Sequence, residues 1–449
     1  MGLGGIGVSA VARLFLFRGA SVSGSDVNES EIIKALKKEG VLFFLGHKKE
    51  NLAKDVELLI YSPAVSKNNP ERKEAEKLGI KQYSYPEFLG ELSQEQFTIA
   101  ISGTDGKSTT TAMAGLVFGD AGVDPTVIVG SKVKQFNENL RIGQSPYLIL
   151  EACEYQANML NLRPQIIVLT NITADHLDYY GNLNNILTAF KKYVSFLPKD
   201  GELVINADDK NCMAISKSAI CPVATYGINE NAELMAKNII IKNRKQIFEV
   251  IFNNKSLGKF SLAVPGKFNI YNALAVIRLA LAFDIEIEII KKTLSIYHGI
   301  WRRFEILGKS KNGSLVISDY AHTPQAVAGT IKATKEFYPD RKIIVVFQPH
   351  HRSRTKLLFN EFVKSFDFAD AVILPEIYDV AGREKGKDKD ISSNDLVSAL
   401  RKRKKSIEIY FMTSLQEAEK LVLKKSNNES ILLMMGAGDI YRVALNVIK

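Results

Sequence analysis

Short apolar runs recur along the chain at 56–61, 98–102, 147–150, 166–170, 342–347, 371–374 and 431–435, and most are unbroken stretches rich in Val, Ile and Leu. Strict alternation would mark strands with one wet face. Unbroken runs suit strands covered on both faces, as in a parallel sheet flanked by helices. Helix-like stretches lie between them, among them 272–283 and a second one after it. Strands alternating with helices predict an α/β class. Residues 308–314 read as a hairpin turn. No internal repeat with a period of about 20–50 residues interrupts the pattern.

A chain of 449 residues exceeds one ordinary domain. A polar stretch at 94–96 precedes the strand-like run that opens at Phe97, and a second break near 299–303 follows the helical stretches. Three domains are predicted, 1–95, 96–302 and 303–449.

Composition narrows the setting. Hydrophobic residues make up 46% and charged residues 24%, as in soluble globular proteins. No apolar run reaches the roughly 18 residues of a membrane span, and the glycine-rich start does not read as a signal peptide. Cys153, Cys212 and Cys221 show no CxxC spacing, which predicts neither a disulfide framework nor a zinc knuckle and suits a reducing cytoplasm. The net charge of +10 would suit nucleic acid or a small polyanion such as a nucleotide. Basic residues are spread out, and the one dense run, 401–405, reads as a solvated helix end without interleaved aromatics. No nucleic-acid partner and no membrane insertion are expected.

Two glycine loops carry the candidate chemistry. Gly2-Leu3-Gly4-Gly5-Ile6-Gly7 fits G-x-G-x-x-G, where glycine lets backbone N–H groups approach a diphosphate at a helix N-terminus. Asp26 follows about where a ribose-binding acid belongs. Such a loop normally follows a strand, and here the chain opens on the loop, so the first strand is expected to be missing. The second loop runs from the strand at 97–102 through Gly103, Thr104, Asp105, Gly106, Lys107, Ser108 and Thr109 into a helical pattern. It is shorter than the full P-loop spacing, but its mechanics are the same. Backbone N–H groups cradle phosphate, Lys107 neutralises β/γ charge, and the Ser108 hydroxyl can ligate Mg2+.

Glu151 and His176 each follow a strand-like run, at the C-terminal strand ends where α/β sheets place ligands. A carboxylate and a histidine beside a phosphate loop predict an Mg2+ site. His47, His176, His322, His350 and His351 lie in polar, loop-like contexts, whereas His298 is read as structural.

These pieces, with GLGGIGVSAVA, VSGSD, ISGTDGKSTTTAM, EACE, TNITADHLDYYG, VPGKFNIYNALA, WRRFE, DYAHTP, FQPHHRSRT and MMGAGDI in this order, resemble the Mur ligases over essentially the whole chain. The resemblance implies a Rossmann-like first domain that binds a UDP-sugar. It implies a central P-loop ATPase-type domain and a Rossmann-like C-terminal domain that binds the incoming amino acid. The implied reaction uses ATP and Mg2+ to join L-alanine to the carboxylate of UDP-N-acetylmuramate through an acyl phosphate. The opening loop, EACE, FQPHHRSRT and MMGAGDI are most similar to alanine-adding members. Thr323, Asp105 and His351 depart from that pattern. Phe190 stands, as in those members, where others carry a carbamylated lysine about fourteen residues after the histidine.

By the same resemblance, Lys107 meets the ATP phosphates, Ser108 and Glu151 hold one Mg2+ and His176 a second. Asn272 reaches adenine, Arg303 or Arg302 approaches the γ-phosphate, and Asp319 binds the ATP ribose or orients the last domain. His322, His350, His351 and Arg354 face the substrates of the last domain, Arg354 suiting a carboxylate. Gly4, Gly5, Asp26, His47 and Ser62 contact the UDP portion. Three other readings stay open. One is a ligase attaching a preformed murein peptide, another a non-catalytic nucleotide- or UDP-sugar-binding regulator. The third, a nicotinamide-dependent oxidoreductase, rests on the first glycine loop and Asp26 alone.

Overall fold

The computed structural model describes the chain except Asn137, Glu230, residues 379–389, Lys405 and Lys449, and the side chain of Asp178. The basic run at 401–405 therefore ends, at Lys405, outside the described residues. The chain folds as two compact units. One comprises Met1–Asn238, Phe248–Phe260 and Ile270–Ser295, the other Ile239–Ile247, Ser261–Asn269 and Ile296–Lys449.

The first unit opens with two small parallel pairs. Strands β1 (Ser23–Asp26) and β2 (Leu42–Leu45) form one, β3 (Leu58–Tyr61) and β4 (Lys81–Ser84) the other. No strand precedes the glycine loop among the described residues. Instead Met1–Leu3 hydrogen-bonds to both pairs. The Met1 amine donates to Ile60 O at 2.7 Å, Ser62 N donates to Met1 O at 3.0 Å, and Gly2 N and Leu3 N donate to Ser25 O at 2.9 and 3.1 Å. Two small cores flank this segment, Leu3–Ala12–Leu36–Val41 and Met1–Leu59–Ala75.

The large sheet takes its strands in chain order as β5 (Phe97–Ser102), β6 (Thr126–Ile128), β7 (Leu140–Arg141), β8 (Tyr147–Glu151), β9 (Ile166–Leu169), β10 (Glu202–Asn206), β11 (Val223–Gly227), β12 (Leu234–Lys242), β13 (Lys245–Phe252) and β14 (Lys255–Leu262). They lie side by side as β14-β13-β12-β11-β10-β9-β5-β8-β6-β7. β5 is thus central, with parallel neighbours β8 and β9. Ile99, Ala100, Ile101 and all of β9 are buried, which is what the unbroken apolar runs require of strands covered on both faces. One covering core contains Phe190, fully buried among Ile186, Tyr193 and Val194. A lysine or its carbamate there would sit in apolar surroundings without a charge partner, so this position serves packing.

The second unit carries β15 (Glu305–Lys309), β16 (Leu315–Asp319), β17 (Lys342–Phe347), β18 (Ala371–Pro375), β19 (Glu408–Met412) and β20 (Ser430–Met435), in the order β15-β16-β20-β17-β18-β19. β15 and β16 are the antiparallel hairpin, joined at 310–314 with a register shift between Ile306 and Gly308, and the other neighbours are parallel. Helices cover both faces around two apolar cores. Among the described residues no helix is long and apolar enough to cross a membrane.

Candidate active site

The phosphate loop leaves the central strand β5 and enters the helix Lys107–Asp120. Gly103 and Gly106 adopt positive φ, 128° and 88°. A Cβ on Gly103 would stand 2.2 Å from Thr170 Oγ1, and one on Gly106 would stand 2.4 Å from Asn272 Oδ1. Only glycine fits either place, and Asn272 is thereby set against the loop. The strand-end segment after β9 braces it. Thr104 N donates to Asn171 O at 2.9 Å, Asp105 N to Asn171 Oδ1 at 3.0 Å, and Thr170 Oγ1 to Asp105 O at 2.6 Å. Ser108 and Thr109 are buried in the first helical turn, where backbone N–H groups suit an anion.

Lys107 does not stretch into solvent. Its ammonium donates to Gly103 O at 2.6 Å and Thr104 O at 2.8 Å and pairs with Glu154, 2.8 and 3.0 Å from the two carboxylate oxygens. Burial disfavours its charged form, but Glu154, Cys153 and Glu151 more than offset this and raise its pKa. Burial likewise raises the Glu154 pKa, with Lys107 opposing. His176, at φ 52°, brings Nε2 to 3.6 Å from Glu154 Oε1 and 3.8 Å from Asp175 Oδ2, and its ring packs on Tyr155. Glu154 therefore joins Lys107 to His176. Glu154 stands in the EACE run, but nothing local in the sequence marks this second acid as the one that folds under the lysine.

Glu151, at the end of β8, accepts from Gly130 N at 2.7 Å. A Cβ on Gly130 would lie 2.7 Å from the same carboxylate oxygen, so the approach needs glycine. Tyr85 packs partly buried nearby, and desolvation of its hydroxyl, then Glu151 and Cys153, push that group's pKa up. Ser108, Glu151 and His176 offer oxygen donors and one imidazole, donor types that Mg2+ accepts, while among the described residues no three His, Cys, Asp or Glu side chains gather closely enough to hold an ion by themselves.

The residues assigned to the UDP portion gather at the C-terminal ends of β1, β2 and β3. Gly4 N donates to Asp26 Oδ2 at 2.9 Å, so an amide expected to face a diphosphate is held by the acid. Gly46 N donates to Asp26 O at 2.7 Å, which sets His47 beside that loop. Gly5 N donates to Gly2 O at 3.0 Å, and a Cβ on Gly2 would touch Ser62 Cβ at 2.8 Å.

In the second unit, Arg302 is buried and donates to Gly436 O and, at 3.0 Å, to Gly438 O. Asp319 is also buried. Its two oxygens accept from Phe304 N and Ala321 N, each at 2.7 Å, and burial raises its pKa. Arg303 lies 5.0 Å over the Tyr320 ring, and His322 Nδ1 is 3.0 Å from Tyr320 O. After β17, His350 stacks on Tyr378 at 5.4 Å and lies 4.1 Å from His351. Arg354 follows in the helix Arg352–Leu357. Asp319 ends β16 and His322 follows it, Gly436 and Gly438 follow β20, and His350, His351 and Arg354 follow β17, which are adjacent parallel strands, whereas Arg302 and Arg303 precede β15. His298 is exposed, away from any core.

Comparison with known proteins places this arrangement. The description "Mur ligase family, catalytic domain" matches residues 1–97, "Mur ligase middle domain" 101–280, and "Mur ligase, glutamate ligase domain" 302–438. UDP-N-acetylmuramate–L-alanine ligase of Clostridium botulinum (strain Kyoto / Type A2) is 42% identical over 99% of this chain and 95% of its own. The Clostridium novyi protein of the same name is 40% identical over the same shares. A solved UDP-N-acetylmuramate–alanine ligase from Thermotoga maritima superposes with TM-score 0.84 at 29% identity, covering 100% of this chain and 97% of that one. A murein peptide ligase from Psychrobacter arcticus has the same fold, with TM-score 0.70 at 23% identity over 100% and 97%. With three family domains matched in order and a relative 42% identical over 95% of its length, the chain belongs to the Mur ligase family.

Proposed function

We propose that the chain is an ATP-dependent ligase that joins L-alanine to the carboxylate of UDP-N-acetylmuramate, a step of peptidoglycan precursor synthesis in the cytoplasm. The observation that carries this reading is the 42% identity to an L-alanine ligase over 95% of that protein's length. The phosphate loop supports the ATP half independently. Free Cys153, Cys212 and Cys221 accord with a reducing compartment.

We assign residues 1–95 to the UDP-sugar, 96–302 to ATP and 303–449 to the amino acid, and the matched family domains support these limits. A muramate carboxylate oxygen attacks the γ-phosphorus of ATP, the bond to the bridging β–γ oxygen breaks, and ADP departs. The alanine amine then adds to the acyl carbon. The tetrahedral intermediate collapses with loss of phosphate, and the nitrogen gives up its proton. Lys107 exchanges Glu154 for phosphate oxygens, and the loop amides hold the γ-phosphoryl in line. Ser108 and Glu151 would hold one magnesium ion and His176 a second, and the ions would supply charge neutralisation at the phosphates. Asn272 borders the nucleotide. Of the two arginines Arg303 is the candidate for the γ-phosphate, since Arg302 is engaged with Gly436 and Gly438. Asp319, bound to two backbone amides, is suited to orienting the segment after β16. His322, His350, His351 and Arg354 face the amino-acid side, and Gly4, Gly5, Asp26, His47 and Ser62 the UDP.

The test is phosphate release from ATP with magnesium and UDP-N-acetylmuramate, adding L-alanine, L-serine, glycine or a murein tripeptide singly. Release that needs both the sugar nucleotide and L-alanine is expected. Release with the tripeptide alone would make it a peptide-attaching ligase, and no release with any of these amines, from folded protein, would overturn the ligase reading.

A further inference from the structure

A buried carboxylate stands behind His47. Glu71, on the helix Pro70–Lys77, is 2% exposed, and Ser25, on β1, is 1% exposed. One Glu71 oxygen, Oε1, takes two donors, Asn51 Nδ2 at 2.6 Å and Lys48 N at 3.2 Å. The other, Oε2, lies 2.6 Å from Ser25 Oγ. Ser25 Oγ in turn lies 3.0 Å from His47 Nδ1, and that nitrogen is 3.5 Å from Glu71 Oε1.

Proton counting decides the direction of this chain. A hydroxyl has one proton, and a carboxylate only accepts. The 2.6 Å contact therefore uses the Ser25 proton. Ser25 can then only accept from His47, so Nδ1 carries a proton, and in the neutral imidazole Nε2 is left as an acceptor. The His47 side chain is 17% exposed, beside the Gly4–Asp26 loop that its neighbour Gly46 touches.

We propose that Glu71 is a positioning residue of the nucleotide site, fixing through Ser25 the Nδ1–H tautomer of His47 so that Nε2 accepts a hydrogen bond from an N–H or O–H group of the bound uridine nucleotide. The inference rests on the reading that this part of the chain holds the UDP-sugar. It explains why an acid is buried here. Its charge sets which face of a histidine the ligand meets, as a partner on one ring nitrogen does for the other.

Glu71→Gln makes the sharpest test. Oε1 already receives two donors, so the glutamine carbonyl must take that place and its NH2 must face Ser25. Ser25 then accepts from the amide and gives its proton to His47 Nδ1, which moves the imidazole proton to Nε2. Long-range 1H–15N spectra of the wild type should show Nδ1 protonated and Nε2 bare, with the Nε2 signal shifting when UDP is added. In the Glu71→Gln protein the two assignments should exchange. KM for UDP-N-acetylmuramate should rise about tenfold, the scale of one hydrogen bond turned from favourable to opposed, with a much smaller change in kcat and in KM for ATP. A wild type with Nε2–H while UDP still binds would overturn the inference alone, and needs no variant to fold. Failure of UDP to bind the wild type at all would remove the underlying assignment of this region and the inference with it.

Discussion

At the residue scale, the site is organised around one lysine that is already paired. Lys107 and Glu154 are both largely buried, and each would be an uncompensated charge without the other. Glu154→Gln should therefore cost about 3 kcal/mol in a urea unfolding titration, a typical effect of removing one partner from a buried pair. A stability equal to the wild type would show that the carbonyls of Gly103 and Thr104 suffice to hold the ammonium. Lys107→Ala removes the phosphate cation itself, and turnover should vanish while circular dichroism stays native. Normal kcat in that variant would sink the phosphate-loop assignment. Gly130→Ala is a finer probe. Its new Cβ, 2.7 Å from Glu151 Oε2, pushes the carboxylate aside by a fraction of an ångström, and kcat/KM should fall roughly 10- to 100-fold with little change in melting temperature. The sequence announces Lys107 and Ser108 because glycines, lysine and hydroxyl are contiguous. Glu154, Gly130 and Glu71 stayed silent because their partners are 47, 21 and 46 residues away. Only folding brings such pairs together.

At the scale of elements, the strands read at 97–102 and 342–347 are β5 and β17, each with five of its six residues buried and an exposed first residue. The apolar run at 56–61 is longer than the strand it marks. The strand starts at Leu58, because Val56 N turns back to Ala53 O. The helix read from Asn272 starts at Lys267, since the break is set by Gly266 at φ 93° and not by hydrophobic period. The first parallel pairs show what a pattern cannot. β1 and β3 each pair with one strand, and both also reach across to Met1 and Gly2. Each thus has a strand edge that only one or two residues satisfy, and unpaired edges are costly to leave in a folded sheet.

At the scale of the molecule, the charge balance matters more than any one basic residue. The chain carries 59 Lys and Arg against 49 Asp and Glu. Few of these cations are gathered into runs, and many sit in surface pairs such as Lys34–Glu31 and Lys77–Glu74, which contribute little to stability. An excess of +10 spread over the surface instead draws in small anions from a distance, and both proposed nucleotide substrates are polyanions. Such attraction acts on encounter and is screened within about 10 Å at 0.1 M salt, whereas the contacts of the bound state at Lys107 and the loop amides are short and sheltered. Raising NaCl from about 0.05 to 0.5 M should therefore lower kcat/KM for UDP-N-acetylmuramate several-fold and leave kcat nearly unchanged. L-Alanine is a zwitterion, and its kcat/KM should hardly respond. An equal loss for both substrates, or a loss confined to kcat, would place the salt effect within the assembled site and deny the surface charge a part in capture.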